Sequence, residues 1–325
     1  MNYDLLIKNS IKQKNISKSQ FKNIILDPST NLLLLLDAAY QVRQKYWGTE
    51  VLIHILNNVR NGYCNQDCKY CAQSKISKAK IHKYLMKSVD EIMREAENAY
   101  KSKAFRYCLA LSGPKLSKKE LKDFSKIIIK IKKTYPIQVC LSAGTIDQAS
   151  AQLLKSVGLD RYNHNINTSE CNYSNICTTH SFQDRIATLQ ALKKVGLQIC
   201  SGLIVGLGES LDDLYDMAQY LNQFQVESIP INFYIPISGN SIKQKYKLTP
   251  HLCLKILCMF RFMNPKSEIR VAAGREMHLR YLQALAFYPA NSIFMDGYLN
   301  IEGQNQAETI QMINDAGFQI KSNCS

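Results

Sequence analysis

Residues 51–74 read VLIHILNNVRNGYCNQDCKYCAQS and join two contrasting segments. The first part, VLIHILNNV (51–59), is apolar and rich in β-branched residues, which is typical of a buried strand. The second part is small and polar, and it carries Cys64, Cys68 and Cys71. Similar β-rich runs recur along the chain between longer segments with helical spacing, so the stretch is the first unit of a repeated strand–loop–helix pattern.

The pattern predicts eight strands that alternate with helices. The strands are predicted at residues 51–59, 105–113, 137–144, 161–167, 199–206, 228–236, 268–274 and 291–297. The helices are predicted at residues 88–103, 117–134, 147–157, 181–195, 210–224, 250–263, 277–287 and 305–316. Alternation of this kind favours a parallel sheet with right-handed crossovers, and eight strands are the number of a closed barrel. We therefore predict an α/β protein with a (β/α)8 TIM-type barrel at 46–320, a helical N-terminal extension at 1–45 and a C-terminal tail at 321–325.

Composition narrows the class of protein. No apolar stretch approaches the roughly 20 residues of a membrane span, and the polar, lysine-rich start does not resemble a secretory signal, so a cytoplasmic protein is expected. Eleven cysteines in such a protein favour metal binding or catalysis over disulfides. The net charge of +15 suits an acidic partner, although much of it comes from scattered lysines, as in KKELKDFSKIIIKIKK (118–133), which favours solvated helix faces.

The three clustered cysteines follow the first predicted strand, at the barrel end where enzymes of this architecture keep their chemistry. Thiolates at C-x3-C-x2-C spacing can hold three irons of a 4Fe-4S cluster and leave the fourth iron open. Zinc is the competing interpretation, but it usually takes a fourth Cys or His at close range. The nearest candidate, His82, lies 11 residues beyond Cys71, so the spacing favours iron–sulfur.

Three further cysteines fall inside separate strands, namely Cys108, Cys140 and Cys200. Each alone reads as a small apolar filler, but neighbours such as Gln138 and Ser142 share the face of Cys140. Arg270, on the seventh strand, is an unusual occupant of a barrel interior because a buried guanidinium needs an anionic partner. Together they indicate a second cluster inside the barrel.

Two other features point into the same interior. Asn163, Asn165 and Asn167 alternate along the fourth strand, and amides facing a dry core are costly without partners, so they predict a polar ligand. The glycines of GLIVGLGE (202–209) would let a ligand approach the backbone, or would simply form a tight turn.

These motifs resemble the radical S-adenosylmethionine superfamily, and within it the biotin synthase family, over about residues 35–320. CNQDCKYC (64–71) matches the superfamily signature, with Tyr70 as the aromatic residue before the last cysteine. The matching family segments are YNHNINTS (162–169), CSGLIVGLGE (200–209), SIPINF (228–233), IRVAAGRE (269–276) and ANSIF (290–294).

The resemblance implies a function and a set of ligands. It implies sulfur insertion into dethiobiotin to form biotin, with a reducing carrier such as flavodoxin or ferredoxin as electron donor, and a homodimer without nucleic-acid or membrane partners. It implies that Cys64, Cys68 and Cys71 hold a 4Fe-4S cluster whose open iron chelates S-adenosylmethionine. It further implies that an auxiliary 2Fe-2S cluster donates the sulfur and is ligated by Cys108, Cys140, Cys200 and Arg270. The residues implied to contact S-adenosylmethionine or substrate are Tyr70, Asn165, Asn167, Arg185 and Asn232.

The sequence departs from the family pattern at three places. Asn167 stands where many members carry Asp, residues 239–242 (GNSI) replace a GTPL segment, and residues 299–301 (LNI) replace an LTT segment that would hold the substrate tail. Three alternatives therefore stay open: a related radical enzyme acting on another small molecule, such as a hydrogenase-maturation or amino-acid mutase type; a zinc-stabilised basic RNA-binding module; and an inactive paralogue.

Overall fold

Ten parallel strands and their connecting helices account for most of the computed structural model, which describes residues 2–14, 16–242 and 246–321. The strands are β1 (Glu50–Arg60), β2 (Arg106–Leu111), β3 (Gln138–Ser142), β4 (Arg161–Asn163), β5 (Gln198–Cys200), β6 (Leu203–Val205), β7 (Ser228–Phe233), β8 (Glu268–Val271), β9 (Ser292–Met295) and β10 (Gln319–Lys321). The helices are α1 (Tyr3–Ile11), α2 (Lys18–Leu26), α3 (Leu32–Trp47), α4 (Val89–Lys101), α5 (Lys118–Thr134), α6 (Gln148–Ser156), α7 (Glu170–Ile176), α8 (Phe182–Val195), α9 (Leu211–Gln223), α10 (Pro250–Met263), α11 (Arg275–Leu279) and α12 (Gln306–Asp315).

The sheet closes on itself. Strands pair in parallel from β1 through β9, with β5 and β6 together in one position, and β9 returns to pair with β1. The register Leu52↔Ser292 to Ile55↔Met295 closes the barrel, while β10 adds a short parallel pairing to the start of β1. The (β/α)8 barrel predicted from the strand–helix alternation is confirmed.

One predicted strand, 199–206, is divided into β5 and β6. Between them, the Gly202 N–H bonds to the Asn165 side-chain oxygen at 3.0 Å instead of joining the ladder. A Cβ at Gly202 would lie 1.9 Å from the Pro230 carbonyl oxygen, so the glycine permits close packing of β7 at this bend.

One predicted helix needs correction, and one helix and one strand were not predicted. The segment predicted as one helix at 277–287 is α11 followed by a 3-10 helix over Arg280–Phe287, because Arg280 takes a φ of +53° and breaks the helical path. Helix α7 was missed because its sequence, ECNYSNI, lacks apolar periodicity, and the cap from Ser169 to the Asn172 N–H begins it. Strand β10 was also not predicted. Residues 322–325 of the predicted tail lie outside the described residues.

Helices α1–α3 precede the barrel and pack against α10. Helix α10 is apolar around most of its circumference, and residues 253–263 are all buried between these helices and the sheet. The fully buried Arg43 of α3 donates to the carbonyl oxygens of Ala290 (3.1 Å), Gly48 (2.6 Å) and Glu50 (2.8 Å), which ties α3 to the start of β1. None of the described helices is both long enough and apolar enough to traverse a bilayer.

Side-chain caps begin several of the helices. Ser117 with Glu120 and Ser181 with Asp184 form reciprocal capping boxes, and α10 begins with Pro250 after the cap of Thr249. Side-chain caps of this kind end most of the strand-to-helix loops, whereas α11 begins at Gly274 without one.

Candidate active site

Inward-facing side chains form three levels inside the barrel, because residues two apart on a strand share a face. The lowest level is polar and charged and contains His54, Arg106, Gln138, Arg161, Gln198 and Glu268. The middle level contains Cys108, Cys140, Cys200, Ser228, Arg270 and Ser292. The upper level opens to the C-terminal end and contains Ser142, Asn163 and Asn232. Side-chain contacts define the levels, since Glu268 accepts from Arg106 and Arg161 in the lowest level. In the middle level, Arg270 contacts Cys200, Ser228 and Ser292.

The upper cavity has a volume of about 1260 Å³ and contains the clustered cysteines. The sequence-predicted residues that line it are Cys64, Cys68, Tyr70, Cys71, Asn163, Asn165, Asn167, Arg185 and Asn232. The structure thus brings the cysteine triplet and the implied ligand contacts to one space.

The cysteine loop is anchored to the segment after α7. The Lys69 N–H donates to the Ile176 carbonyl at 2.9 Å, and the Asp67 carboxylate accepts from the N–H groups of Thr178 (2.9 Å) and Thr179 (3.1 Å). Burial raises the pKa of Cys71 to about 11. A thiol in that setting is deprotonated readily only when a cation binds it, which fits a metal ligand.

A fourth thiol, that of Cys177, lies beside the triplet, and no role was predicted for it. Cys177 Sγ is 3.8 Å from Cys68 Sγ and 3.2 Å from His180 Nδ1. The ligand atoms of Cys68, Cys177 and His180 lie within 4.8 Å of one another. The histidine near the triplet is therefore His180, whereas His82 packs its ring against Tyr84 at 5.6 Å between centroids. No role was predicted for Cys177 because its partner Cys68 lies 109 residues away in the sequence.

The asparagines occupy a strand end and the loop that follows it. Only Asn163 lies within β4, and its side-chain oxygen is buried without a hydrogen-bond partner among the described residues. The Asn165 oxygen accepts from the Gly202 N–H. Asn167 adopts a φ of +67° and donates to the Tyr70 hydroxyl at 2.7 Å, which links the β4 loop to the cysteine loop.

Arg185 and His164 complete this wall. Arg185, on α8, donates to the Asn165 carbonyl at 2.9 Å and contacts His180 Nε2 at 2.8 Å and the Tyr173 hydroxyl. His164 was not singled out from the sequence, yet it lines the cavity with a buried Nε2 that lacks a partner among the described residues. Burial lowers the pKa of His164, so the ring is neutral. Next to this wall, Asn232 Nδ2 donates to the carbonyl of Leu203 at 3.0 Å, and Leu203 pairs with Asn167.

The glycines of 202–209 belong to a turn. Gly206 and Gly208 have φ values of +105° and +94°, and the buried Glu209 carboxylate accepts from the N–H groups of Gly206 and Leu207, both at 2.7 Å. This arrangement favours the tight-turn interpretation over a ligand-approach role.

The lower cavity, of about 110 Å³, lies in the barrel interior. Cys108, Cys140, Cys200 and Arg270 all line it, from four different strands. Arg270 Nη1 is 3.7 Å from Cys200 Sγ. Contact with Cys140 lowers the pKa of Cys108, while the same contact raises the pKa of Cys140. The four side chains predicted to share a site therefore converge.

The two loop segments that differ from the family pattern, 239–242 and 299–301, both lie near the upper cavity. Leu299, Asn300 and Ile301 line it, and the Asn61 amide donates to Asn300 Oδ1 at 2.6 Å. Asn240 donates to the Tyr70 carbonyl at 2.8 Å, so residues 239–242 support the cysteine loop.

The donor sets fit the two implied clusters. Three thiols on one loop open into a wide cavity whose walls carry unpartnered polar atoms on Asn163 and His164, as a chelated polar cofactor requires. Three buried thiols and one guanidinium surround a cavity of about 110 Å³, which is a soft donor set for a small cluster.

Two family models match the chain: the radical SAM superfamily over residues 59–221, and the biotin and thiamin synthesis associated domain over residues 230–319. The chain is 49% identical over 315 residues to the biotin synthase of Acaryochloris marina, covering 97% of this chain and 91% of that protein. It is 48% identical to the biotin synthase of Magnetococcus marinus, with 92% and 93% covered. The crystal structure of methylornithine synthase superposes with a TM-score of 0.84 at 17% identity, covering 98% of each chain, and indicates the shared fold.

Proposed function

The chain belongs to the biotin synthase family, and from that premise we propose that its two cysteine sets hold the two iron–sulfur clusters used to insert sulfur into dethiobiotin. Cys64, Cys68 and Cys71 would hold the 4Fe-4S cluster and S-adenosylmethionine. Cys108, Cys140, Cys200 and Arg270 would hold the auxiliary 2Fe-2S cluster. When bound, the first cluster and its S-adenosylmethionine supply a carbon-centred radical that abstracts hydrogen, and the second cluster supplies the sulfur.

The observation that carries this proposal is the stacking of the two cavities. Ser142, Asn163 and Tyr298 line both the upper and the lower cavity. A substrate held at their level contacts the contents of both cavities without leaving the barrel, and such proximity is what successive steps on one carbon require.

The protein side chains hold and orient the ligands. Asn163 Oδ1 and His164 Nε2 are unpartnered among the described residues and are available to a polar ligand. Asn165 and Arg185 form one wall, and the bond from Asn167 to Tyr70 fixes that wall against the cysteine loop. Asn232 also lines the cavity, and Asn300 with Ile301 would contact the substrate tail. A deep barrel interior also keeps water from a radical intermediate.

The remaining assignments follow from the family resemblance and the charge of the chain. We propose a cytoplasmic homodimer reduced by a flavodoxin or ferredoxin, since a net charge of +15 suits an acidic carrier. Residues 1–45 and 46–320 remain our proposed extension and barrel domains. A zinc-stabilised RNA-binding module would not place three further cysteines on separate strands around an internal cavity.

Anaerobic reconstitution tests the ligand assignments. Iron and sulfide counting with Mössbauer spectra should give two cluster types in the wild type and only the 4Fe-4S type in Cys140→Ala. Cys171, an exposed cysteine on α7, supplies the matched control, and Cys171→Ala should retain both types. A single cluster type in the wild type, or two types in Cys140→Ala, contradicts the proposal.

A further inference from the structure

A layer of buried charged side chains lies beneath the lower cavity, and the proposed function assigns it no role. Glu268 precedes Arg270 by two residues on β8, so both side chains point into the barrel with Glu268 one level lower. Glu268 and His54 are each 0% exposed. The layer also contains the guanidinium groups of Arg106 and Arg161, which are almost fully buried.

The Glu268 carboxylate is the common acceptor of this layer. Its Oε2 accepts from Arg161 Nη1 at 2.6 Å and from Arg106 Nη1 at 3.3 Å. Its Oε1 accepts from Arg270 Nη2 and lies 3.0 Å from His54 Nε2. Burial opposes ionisation, but Arg270 and Arg161 hold the pKa of Glu268 well below its ordinary value.

These contacts determine which atom of Arg270 faces the cavity. Arg270 Nε donates to Ser292 Oγ at 3.0 Å, and Nη2 donates to Ser228 Oγ at 2.9 Å as well as to Glu268. Both hydrogens of Nη2 therefore have acceptors away from the cavity. Nη1 is left on the side of Cys200 Sγ, 3.7 Å away.

The same carboxylate oxygen also faces the His54 ring. Arg270 Nη2 also lies 3.3 Å from His54 Nε2, but Ser228 and Glu268 accept its two hydrogens. Because a carboxylate can only accept, the His54 nitrogen facing Glu268 carries the hydrogen. The ring then turns its unprotonated Nδ1 toward Cys108 Sγ, at 3.8 Å, where it can accept from a thiol but cannot bond a thiolate. Glu268 Oε1 therefore orients a proposed cluster ligand through Arg270 alone.

We propose that Glu268 is a positioning residue for the auxiliary cluster, because it aims Arg270 Nη1 into the lower cavity. The proposal rests on the proposed function, in which Arg270 ligates that cluster. A carboxylate that fixes the orientation of a ligand from behind is a general device of metal sites. The competing role is that of a counter-charge alone, which would neutralise Arg106 and Arg161 without affecting where Arg270 points.

Hyperfine spectroscopy distinguishes the two roles. The holoenzyme would be prepared with 15N-guanidino-arginine, its auxiliary cluster reduced by one electron, and the 15N coupling recorded by pulsed electron paramagnetic resonance. Arg270→Lys should abolish the coupling and so assign it to Arg270. Glu268→Gln keeps the size of the side chain but can donate as well as accept, so the coupling should fall by at least about twofold as Nη1 leaves its position. Glu209→Gln, at a buried carboxylate in the turn after β6, should leave it unchanged.

Each outcome bears on one proposal. Coupling in the wild type that survives unchanged in a loaded Glu268→Gln protein overturns the positioning role. Absence of any arginine coupling in a loaded wild type instead overturns the ligand assignment of Arg270. If Glu268→Gln does not load a cluster, Ser228→Ala removes the other acceptor of Nη2 without a charge change, and a smaller but measurable loss of coupling is expected. Unchanged coupling in Ser228→Ala would then count against the proposal.

Discussion

At the scale of single residues, backbone conformation restricts what can replace Asn167. The residue has a φ of +67°, and its amide reaches the Tyr70 hydroxyl. Asn and Asp tolerate the left-handed region, whereas it costs other side chains roughly 1–2 kcal/mol, most of all bulky or β-branched ones. The presence of Asn where many relatives carry Asp is therefore compatible with the same loop geometry.

Asn167→Asp should keep the affinity for S-adenosylmethionine within about threefold, because the Tyr70 hydroxyl can donate to the new carboxylate. Asn167→Val should weaken that affinity about tenfold or more through backbone strain. Equilibrium dialysis with the reconstituted protein measures both. Equal affinities in the two variants would show that the φ of this residue does not matter for binding.

The residues predicted from the sequence and those missed differ in a physical way. Cys64, Cys68 and Cys71 are close in sequence, so their spacing alone indicates a common metal. Cys108, Cys140, Cys200 and Arg270 could be grouped because strand alternation puts them on one face. Cys177 was missed because its partner Cys68 lies 109 residues away in sequence. Glu268 lies two residues before Arg270, but its other partners, such as Arg161, are more than 100 residues away, and only the closed barrel brings them together.

At the scale of secondary-structure elements, one aspartate joins two helix starts near the site. Asp213, in the capping box of α9, accepts from Ser210 and also from the hydroxyl of Ser169, the cap residue of α7. Burial raises the pKa of Asp213, but these hydrogen bonds lower it more, and the net shift is downward.

The pH dependence of stability follows from this shift. A carboxyl whose pKa is depressed by folding stabilises the folded state above its unfolded pKa of about 3.9, and that contribution is lost as pH falls through the folded pKa. Asp213→Asn should therefore lower the free energy of unfolding by about 1 kcal/mol near pH 6, as for loss of a helix cap, and by less below about pH 4. Urea unfolding at both pH values measures this, and a gap that widens in acid would refute it.

Helix α3 packs on α10 through apolar side chains, and its buried Arg43 adds polar contacts to the barrel. Arg43→Met removes the donors to three backbone carbonyl groups and leaves them unsatisfied, so the free energy of unfolding should fall by about 3 kcal/mol. Arg94→Met, at an exposed position of α4, should change it by less than about 0.5 kcal/mol. Similar losses in both variants would mean that the Arg43 contacts contribute little.

Strands and helices were predicted well where the hydrophobic pattern is strong. Predictions failed where a break within an element depends on a contact or a backbone angle in the folded chain. Most of the eight barrel strands were predicted because they are apolar runs between turn signals. The exception is RYNHNIN (161–167), which is polar and forms a strand only over Arg161–Asn163. The division of one strand at Gly202 depends on the Pro230 carbonyl of a neighbouring strand, and the break at Arg280 depends on one backbone angle. Neither contact can be read from a local window of sequence.

At the scale of the whole molecule, three chemical environments follow one another along the barrel axis. Buried charged residues lie nearest the N-terminal ends of the strands, a small thiol-lined cavity follows, and a wide polar cavity opens at the C-terminal end. The order follows from the alternation of side chains along each strand, as Glu268 and Arg270 show on β8. It places two cofactor sites on one axis, with the residues common to both between them.

The central claim is that the lower cavity supplies the sulfur atom to a substrate held just above it. Anaerobic reconstitution with 34S-sulfide, removal of free sulfide and a single turnover with dethiobiotin test it most directly, with mass spectrometry of the biotin formed. We predict biotin that carries 34S in the wild type, and no biotin from Cys140→Ala, which keeps the upper site but loses a ligand of the lower one. Unlabelled biotin from the labelled wild-type enzyme, or labelled biotin from Cys140→Ala, would contradict the account.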